Sequence, residues 1–115
     1  MNKKLIGTWG EKIAKKYLET KGYTILETNW YYHHKELDII AWQNNKLIGI
    51  EVKTRSNYTD LAFTILKVNQ VHRLRLALKA YCLTHYFDYN RSRLDLITIK
   101  LKGQSTIIIN HQTDI

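Results

Sequence analysis

The chain has 115 residues and carries 18 Lys and Arg against 10 Asp and Glu, a formal net charge of +8 with a pI of about 9.6. That length suits a single domain over 1–115, and 44% apolar with 24% charged residues excludes a disordered or collagen-like chain. The lone cysteine, Cys82, excludes an internal disulfide and fits a reducing cytosol; no segment has the ~20 apolar residues of a membrane helix, and the start lacks a signal peptide's apolar run.

In chain order, residues 2–21 read as a helix. Leu5, Trp9, Ile13 and Tyr17 recur every four residues, flanked by Ile6, Ala14 and Leu18, and Gly22 supplies a stop. Glu11 falls at the edge of this apolar stripe, and Lys4, Lys12, Lys15 and Lys16 lie opposite it. Tyr23–Asn29 reads as a strand, and "WYYHHK" as an irregular aromatic loop. Glu36–Trp42 and Lys46–Thr54 are rich in Ile and Val and read as strands around "QNN". Ser56–Phe63 is polar and turn-like. Residues 68–86 form a second helix with Val71, Leu74, Leu78, Tyr81 and Cys82 on one stripe, "YFDYNRS" a loop, and "RLDLITIKL" and "STIIINH" strands around Gly103. The order αβββαββ predicts an α/β protein with a mixed sheet flanked by helices.

The central hairpin carries the chemistry. A two-residue Asn44-Asn45 turn makes Gln43 face Lys46, Asp38 face Glu51 and Glu36 face Lys53. Period-two alternation then puts Glu36, Asp38, Glu51 and Lys53 on one face and Leu37, Ile39, Ile48, Ile50 and Val52 on the other. Opposed carboxylates ~5 Å apart at Cβ destabilise a sheet, unless one holds a proton or both hold a cation. Two readings of this face stand. It is a solvated surface with a Glu36–Lys53 cross-strand pair, or it binds Mg²⁺ or Mn²⁺ through Asp38 and Glu51, with a helix over the charged face bringing Glu11 in. Hard cations take such oxygen ligands, and a basic chain attracts a nucleic acid.

Asp38 followed by Glu51-Val52-Lys53 also resembles the PD-(D/E)XK nuclease pattern, without its proline. The wider stretch "GTWGEKIAKKYLETKGYTILETNW…ELDIIA…IGIEVKTR" resembles the YraN family of bacterial proteins, itself similar to archaeal Holliday junction resolvases. The resemblance implies a restriction-endonuclease-like core and a metal-dependent endonuclease acting on DNA. It implies catalytic roles for Glu11, Asp38, Glu51 and Lys53, with Asp38 and Glu51 on the metal. Glu36 and Arg55 match further family positions and, with His72 and Arg73 on the second helix, are candidate substrate contacts. Lys35 stands where the family commonly has Gly, and His72 near a position commonly Lys. A non-catalytic DNA-binding module and a basic scaffold with a structural acidic cluster are the alternatives. Junction resolution would call for a symmetric dimer, since two strands are cut. Asp95 reads as a structural hydrogen-bond acceptor, and Trp30, Tyr31 and Tyr32 as half-buried packing.

Overall fold

A computed structural model describes residues 3–55, 66–103 and 105–115; the expected turn at Ser56–Phe63 lies outside them. Helix α1 (Lys3–Thr20) precedes strands β1 (Thr24–Tyr32), β2 (Lys35–Gln43) and β3 (Lys46–Arg55). Helix α2 (Val68–His85) follows, then a short 3₁₀ turn (Tyr89–Arg91), β4 (Ser92–Lys102) and β5 (Thr106–Gln112). The strands form one sheet in the order β1-β2-β3-β4-β5. β3 and β4 run parallel and the other neighbours antiparallel, because only the β3–β4 connection contains a helix long enough for a crossover. This mixed α/β sheet with two helices is compatible with the expected restriction-endonuclease-like architecture.

The turns follow from residues that tolerate left-handed backbone. Asn44 and Asn45 both have positive φ (52° and 61°) and close a tight turn with Gln43 opposite Lys46. Gly22, at φ 90°, ends α1, and Tyr23 N–H returns to the Leu18 carbonyl at 3.0 Å. The "WYYHHK" stretch is not an irregular loop. Trp30, Tyr31 and Tyr32 are strand residues opposite Leu37, Glu36 and Lys35, and only His33 and His34 turn the chain, with His33 at φ 55°. Three aromatics in a row suit a strand whose outer part is exposed, which a loop reading of the HisHis pair obscured.

Each face of the sheet is covered by one helix. Ala14 and Leu18 of α1 pack on Ile39, Ala41, Ile48, Ile50, Ile97 and Ile99. Leu74, Ala77, Leu78, Tyr81 and Cys82 of α2 pack on Leu37, Ile40, Leu47 and Leu94. The α1 stripe is therefore centred on Ala14 and Leu18; Trp9 is half-buried and Leu5 is exposed. Leu37 lies with α2, not with Ile39 on the α1 face as simple alternation predicts. The alternation slips at Asp38, between the pairs Thr28–Ile39 and Trp30–Leu37, where Asn29 of β1 has a φ of 52°.

At the β4–β5 end, Asp95 is fully buried and fully paired. Arg93 grips both of its oxygens (Nε–Oδ1 2.8 Å, Nη2–Oδ2 2.9 Å), His111 Nε2 lies 2.8 Å from Oδ2, and Asp114 N–H donates to Oδ1 at 3.0 Å. Burial alone would raise its pKa, but the hydrogen bonds from His111, Arg93 and Asp114 outweigh this and hold it below the ordinary carboxyl range. Tyr17 of α1 joins the network through His111 Nδ1 at 3.1 Å, and Arg93 Nη2 also reaches the Tyr23 hydroxyl at 3.0 Å. This network ties α1 to β4, β5 and the residues after β5, the role of a structural acceptor.

Gly10 sets how closely α1 approaches β3. A Cβ on Gly10 would overlap the Thr54 hydroxyl and come within 3.1 Å of Thr54 Cβ. Gly10→Ala gains about 1 kcal/mol of helix propensity but forces the overlap, and overpacking costs about 1–3 kcal/mol. A net loss of stability is expected in urea denaturation. In a Thr54→Ala background the same change should cost nothing or stabilise. A four-variant cycle with a coupling of at least about 1 kcal/mol checks this; additive effects would mean that α1 and β3 are not in this close contact.

Candidate functional site

The antiparallel pairing of β2 and β3 runs from Gln43–Lys46 to Ile39–Ile50 in the expected register and then stops. Beyond Ile50, β3 remains paired to β4, through Arg55 opposite Lys100, while β2 stays with β1. The strands part at Asp38. In place of a ladder carbonyl, the Asp38 carboxylate (Oδ2) accepts the Val52 N–H at 2.8 Å. Asp38 and Glu51 are therefore neighbours, as the facing register predicts, but across a fork rather than along a ladder.

Asp38 is 6% exposed. Burial first, then a hydrogen bond and repulsion from Glu51, with a contribution from Glu36, push its pKa far above the ordinary carboxyl range; the Val52 N–H opposes them only in part. The raised pKa favours a protonated carboxyl group in this pair. Glu11 is also raised, by burial, then by Glu36 and Glu51, against a hydrogen bond from Asn29. Lys53 Nζ lies 3.5 Å from Glu51 Oε2, so its ion pair is made along β3 to Glu51. Tyr31, opposite Glu36, hydrogen-bonds it across the strands.

Above the fork, a cleft of about 190 Å³ is lined by His34, Lys35, Glu36 and Glu51 from the sheet and by Gln70, Arg73 and Leu74 from α2. The helix over the charged face is thus α2. α1 packs on the opposite face, and Glu11 reaches the acids near the fork because Gly10 lets α1 lie against the end of β3. Of the candidate substrate contacts, Glu36 and Arg73 line the cleft. His72 points away and is exposed, and Arg55 is exposed with Nη1 3.3 Å from the Thr54 carbonyl.

Gln70 and Lys35 were not anticipated as cleft residues. Gln70 Oε1 accepts the Lys67 N–H at 3.0 Å and so caps α2 at the cleft. Its signal was present in sequence, one turn before Leu74 on the buried stripe, but a polar residue at a helix start reads as a cap alone. Among the described residues, no three acids, histidines or cysteines are arranged around one point as a ready metal cage.

The proton on the carboxyl pair has a consequence for stability. The ordinary Asp value is 3.8 and the folded value is raised. As pH rises above 3.8, the unfolded chain releases this proton while the folded chain keeps it, so the native state binds more protons and stability falls. The slope is up to about 1.4 kcal/mol per pH unit, and it ends once the folded group also ionises. Asp38→Asn keeps an acceptor for Val52 and cannot ionise. The variant should therefore gain on the metal-free wild type as pH rises from 4 to 8 and be at least as stable at pH 8. Denaturation across that range checks this; a constant deficit at every pH would mean that the pair holds no proton.

Comparison with known proteins agrees with the resemblance of the motif. The chain is 38% identical over 111 residues to a UPF0102 protein of Parabacteroides distasonis, covering 95% of this chain and 89% of that protein. It is 36% identical over 113 residues to one of Flavobacterium johnsoniae, covering 95% and 91%, and 32% identical over 114 residues to one of Caldanaerobacter subterraneus subsp. tengcongensis, covering 96% and 93%. Residues 10–99, which include the whole fork and α2, match the family profile, and the chain belongs to the uncharacterised protein family UPF0102, the YraN family.

Proposed function

We propose that this protein is a metal-dependent phosphodiesterase acting on DNA, with branched DNA among its candidate substrates. The observation that carries the reading is the carboxyl pair at the fork: buried Asp38, its pKa pushed up by burial and by Glu51, with Glu51 lining the cleft and Lys53 Nζ 3.5 Å from it. Two acids that share a proton are two oxygen donors a divalent cation can take over, and Mg²⁺ commonly uses one or two carboxylates and completes its shell with water. Asp38 and Glu51 would hold Mg²⁺ or Mn²⁺, which when bound polarises a phosphoryl oxygen and acidifies water.

The remaining roles fall to the chain's own groups. Lys53, drawn to Glu51 in the metal-free site, turns to the phosphate once that carboxylate serves a cation. Glu36 would accept hydrogen bonds from water in the cleft, and Glu11 from water near the fork. Arg73 and Lys35 face the phosphate backbone from opposite walls, and the net charge of +8 draws the polyanion in. One observation favours a second reading, a DNA-binding module without catalysis: the Lys53–Glu51 pair at 3.5 Å already neutralises a charge the metal would need.

Metal binding must expel the shared proton. At pH 7, Mn²⁺ should stabilise the wild type by about 2.7 kcal/mol at a hundred times Kd, and calorimetry in buffers of different ionisation enthalpy should register the released proton. Asp38→Asn should lose most of the stabilisation and all of the proton. An equal gain in both proteins would rule out Asp38 as a ligand.

Cleavage is tested with Mg²⁺ and Mn²⁺ over single-stranded, duplex, flap and four-way DNA. Lys53→Ala should abolish cutting while binding DNA within a few-fold of wild type. Cutting by the variant at the wild-type rate removes Lys53 from the mechanism. Tight binding by the wild type with no cutting of any substrate selects the second reading.

A further inference from the structure

A second cleft lies at the opposite end of α2 from the fork. It has a volume of about 310 Å³ and is bounded by Trp42 near the end of β2, by Asn45 of the tight turn, by Tyr86, Phe87 and Asp88 after α2, and by Arg91. That volume is at the small end of ligand pockets, which run from ~300 to ~1,000 Å³. Phe87 is fixed by its neighbours: its ring centroid lies 5.6 Å from that of Trp42 and 6.0 Å from that of Tyr81, and its N–H returns to the Cys82 carbonyl at 2.9 Å. Tyr86 is different. It ends α2 at φ 63° and ψ 40°, the left-handed conformation that usually calls for glycine, and it is 96% exposed. A bulky residue in this conformation is strained, and a ring in water returns nothing in packing. Strain of this kind gathers at ligand clamps.

We propose that this cleft is a nucleobase site, which takes an unpaired nucleotide of a DNA strand with its base against Tyr86, Phe87 and Trp42 and its phosphate on Arg91. Aromatic rings stack on any base, and a guanidinium matches a phosphate. Asn45 and Asp88 bring an amide and a carboxylate to the polar edge of the base, and Asp88 is steadied by the Asn90 N–H, 3.0 Å from its Oδ1. The site rests on DNA as the ligand of the proposed phosphodiesterase and adds where an unpaired base goes. Gln70 at the first cleft and Tyr86 at the second stand at the two ends of α2, roughly 24 Å apart by helix rise, or about seven B-form base steps. Exposed Arg73, Arg75 and Lys79 lie between them. A strand with a phosphate at the fork thus has its unpaired continuation carried along α2 to the second cleft.

The test is run in chelator, so that binding is read without cleavage. A short single-stranded oligonucleotide carrying 5-iododeoxyuridine, which photocrosslinks to a stacked aromatic ring, should crosslink to the wild type at Tyr86, Phe87 or Trp42, located by mass spectrometry. Tyr86→Gly should weaken its binding about tenfold, the order of one lost stacking contact, and Tyr86→Phe should not. Glycine adopts φ 63° without strain, so Tyr86→Gly should melt no lower than wild type, which separates lost binding from lost folding. Arg91→Gln should lower the slope of log K against log salt by ~0.7, the share of one phosphate on a single strand. Deoxyadenosine monophosphate should compete only at millimolar concentration; binding as tight as the oligonucleotide's would make the ligand a free nucleotide and overturn the strand. A duplex that crosslinks at these rings as readily as the single strand would overturn the unpaired base. Crosslinks confined to other residues, or Tyr86→Gly binding as wild type does, overturn the site and leave the phosphodiesterase reading standing. Crosslinking at these rings with no cutting of any DNA in Mg²⁺ or Mn²⁺ does the reverse, and a wild type that binds no DNA at all overturns both.

Discussion

The hydrogen bond from Val52 N–H to Asp38 Oδ2 at 2.8 Å is the interaction on which the site depends. Where two antiparallel strands separate inside a protein, backbone groups lose their ladder partners, and a buried unpaired N–H is costly. Asp38 solves that problem for Val52 with a side chain. In doing so it is drawn into the interior beside Glu51. The acid is thus both the plug that lets β2 and β3 part and the reason a proton is trapped there. A site built in this way is positioned by the sheet itself.

The rest of the fold keeps that fork rigid. β3 is hydrogen-bonded to β4 well past the point where β2 leaves it, so Glu51 and Lys53 stay on a fixed strand. α1 is held from below by the close approach at Gly10 and by the Tyr17–His111–Asp95 chain at the other side of the sheet. α2 is held from above at Gly49, where an added Cβ would come within 3.2 Å of Leu78 and 3.3 Å of Leu37. Two helices pressed onto two faces leave buried polar groups two places among the described residues, the fork and the Asp95 network at β4–β5. The contrast between Asp95 and Asp38 makes the point. Both are buried, but Asp95 meets a guanidinium, an imidazole and a backbone donor, which hold its pKa down, whereas Asp38 meets other acids, which push its pKa up.

Much of this was legible in the sequence, for a definite reason. Tight turns and alternation are local: Asn44-Asn45 fixes the register of Ile39 against Ile50, Gly22 ends α1, and Leu74, Leu78, Tyr81 and Cys82 declare the buried face of α2. The sequence by itself therefore determined the order of elements, the register of the central hairpin as far as Ile39–Ile50 and the nearness of Asp38 to Glu51; the expected Glu36–Lys53 pair is not formed, since Lys53 pairs with Glu51 on its own strand. It could not determine where the pairing ends, because that depends on β4 and β1 competing for β3 and β2. Nor could it show that the pleat slips at Asp38 and sends Leu37 to the α2 side, since strict alternation predicts the opposite face. Which helix covers the acids, and that Gln70 and Arg73 face them, was decided only by tertiary structure. A helix with one apolar stripe can lie on either face of a sheet that is apolar on both, and only the packing of both helices at once assigns α1 and α2 to their sides.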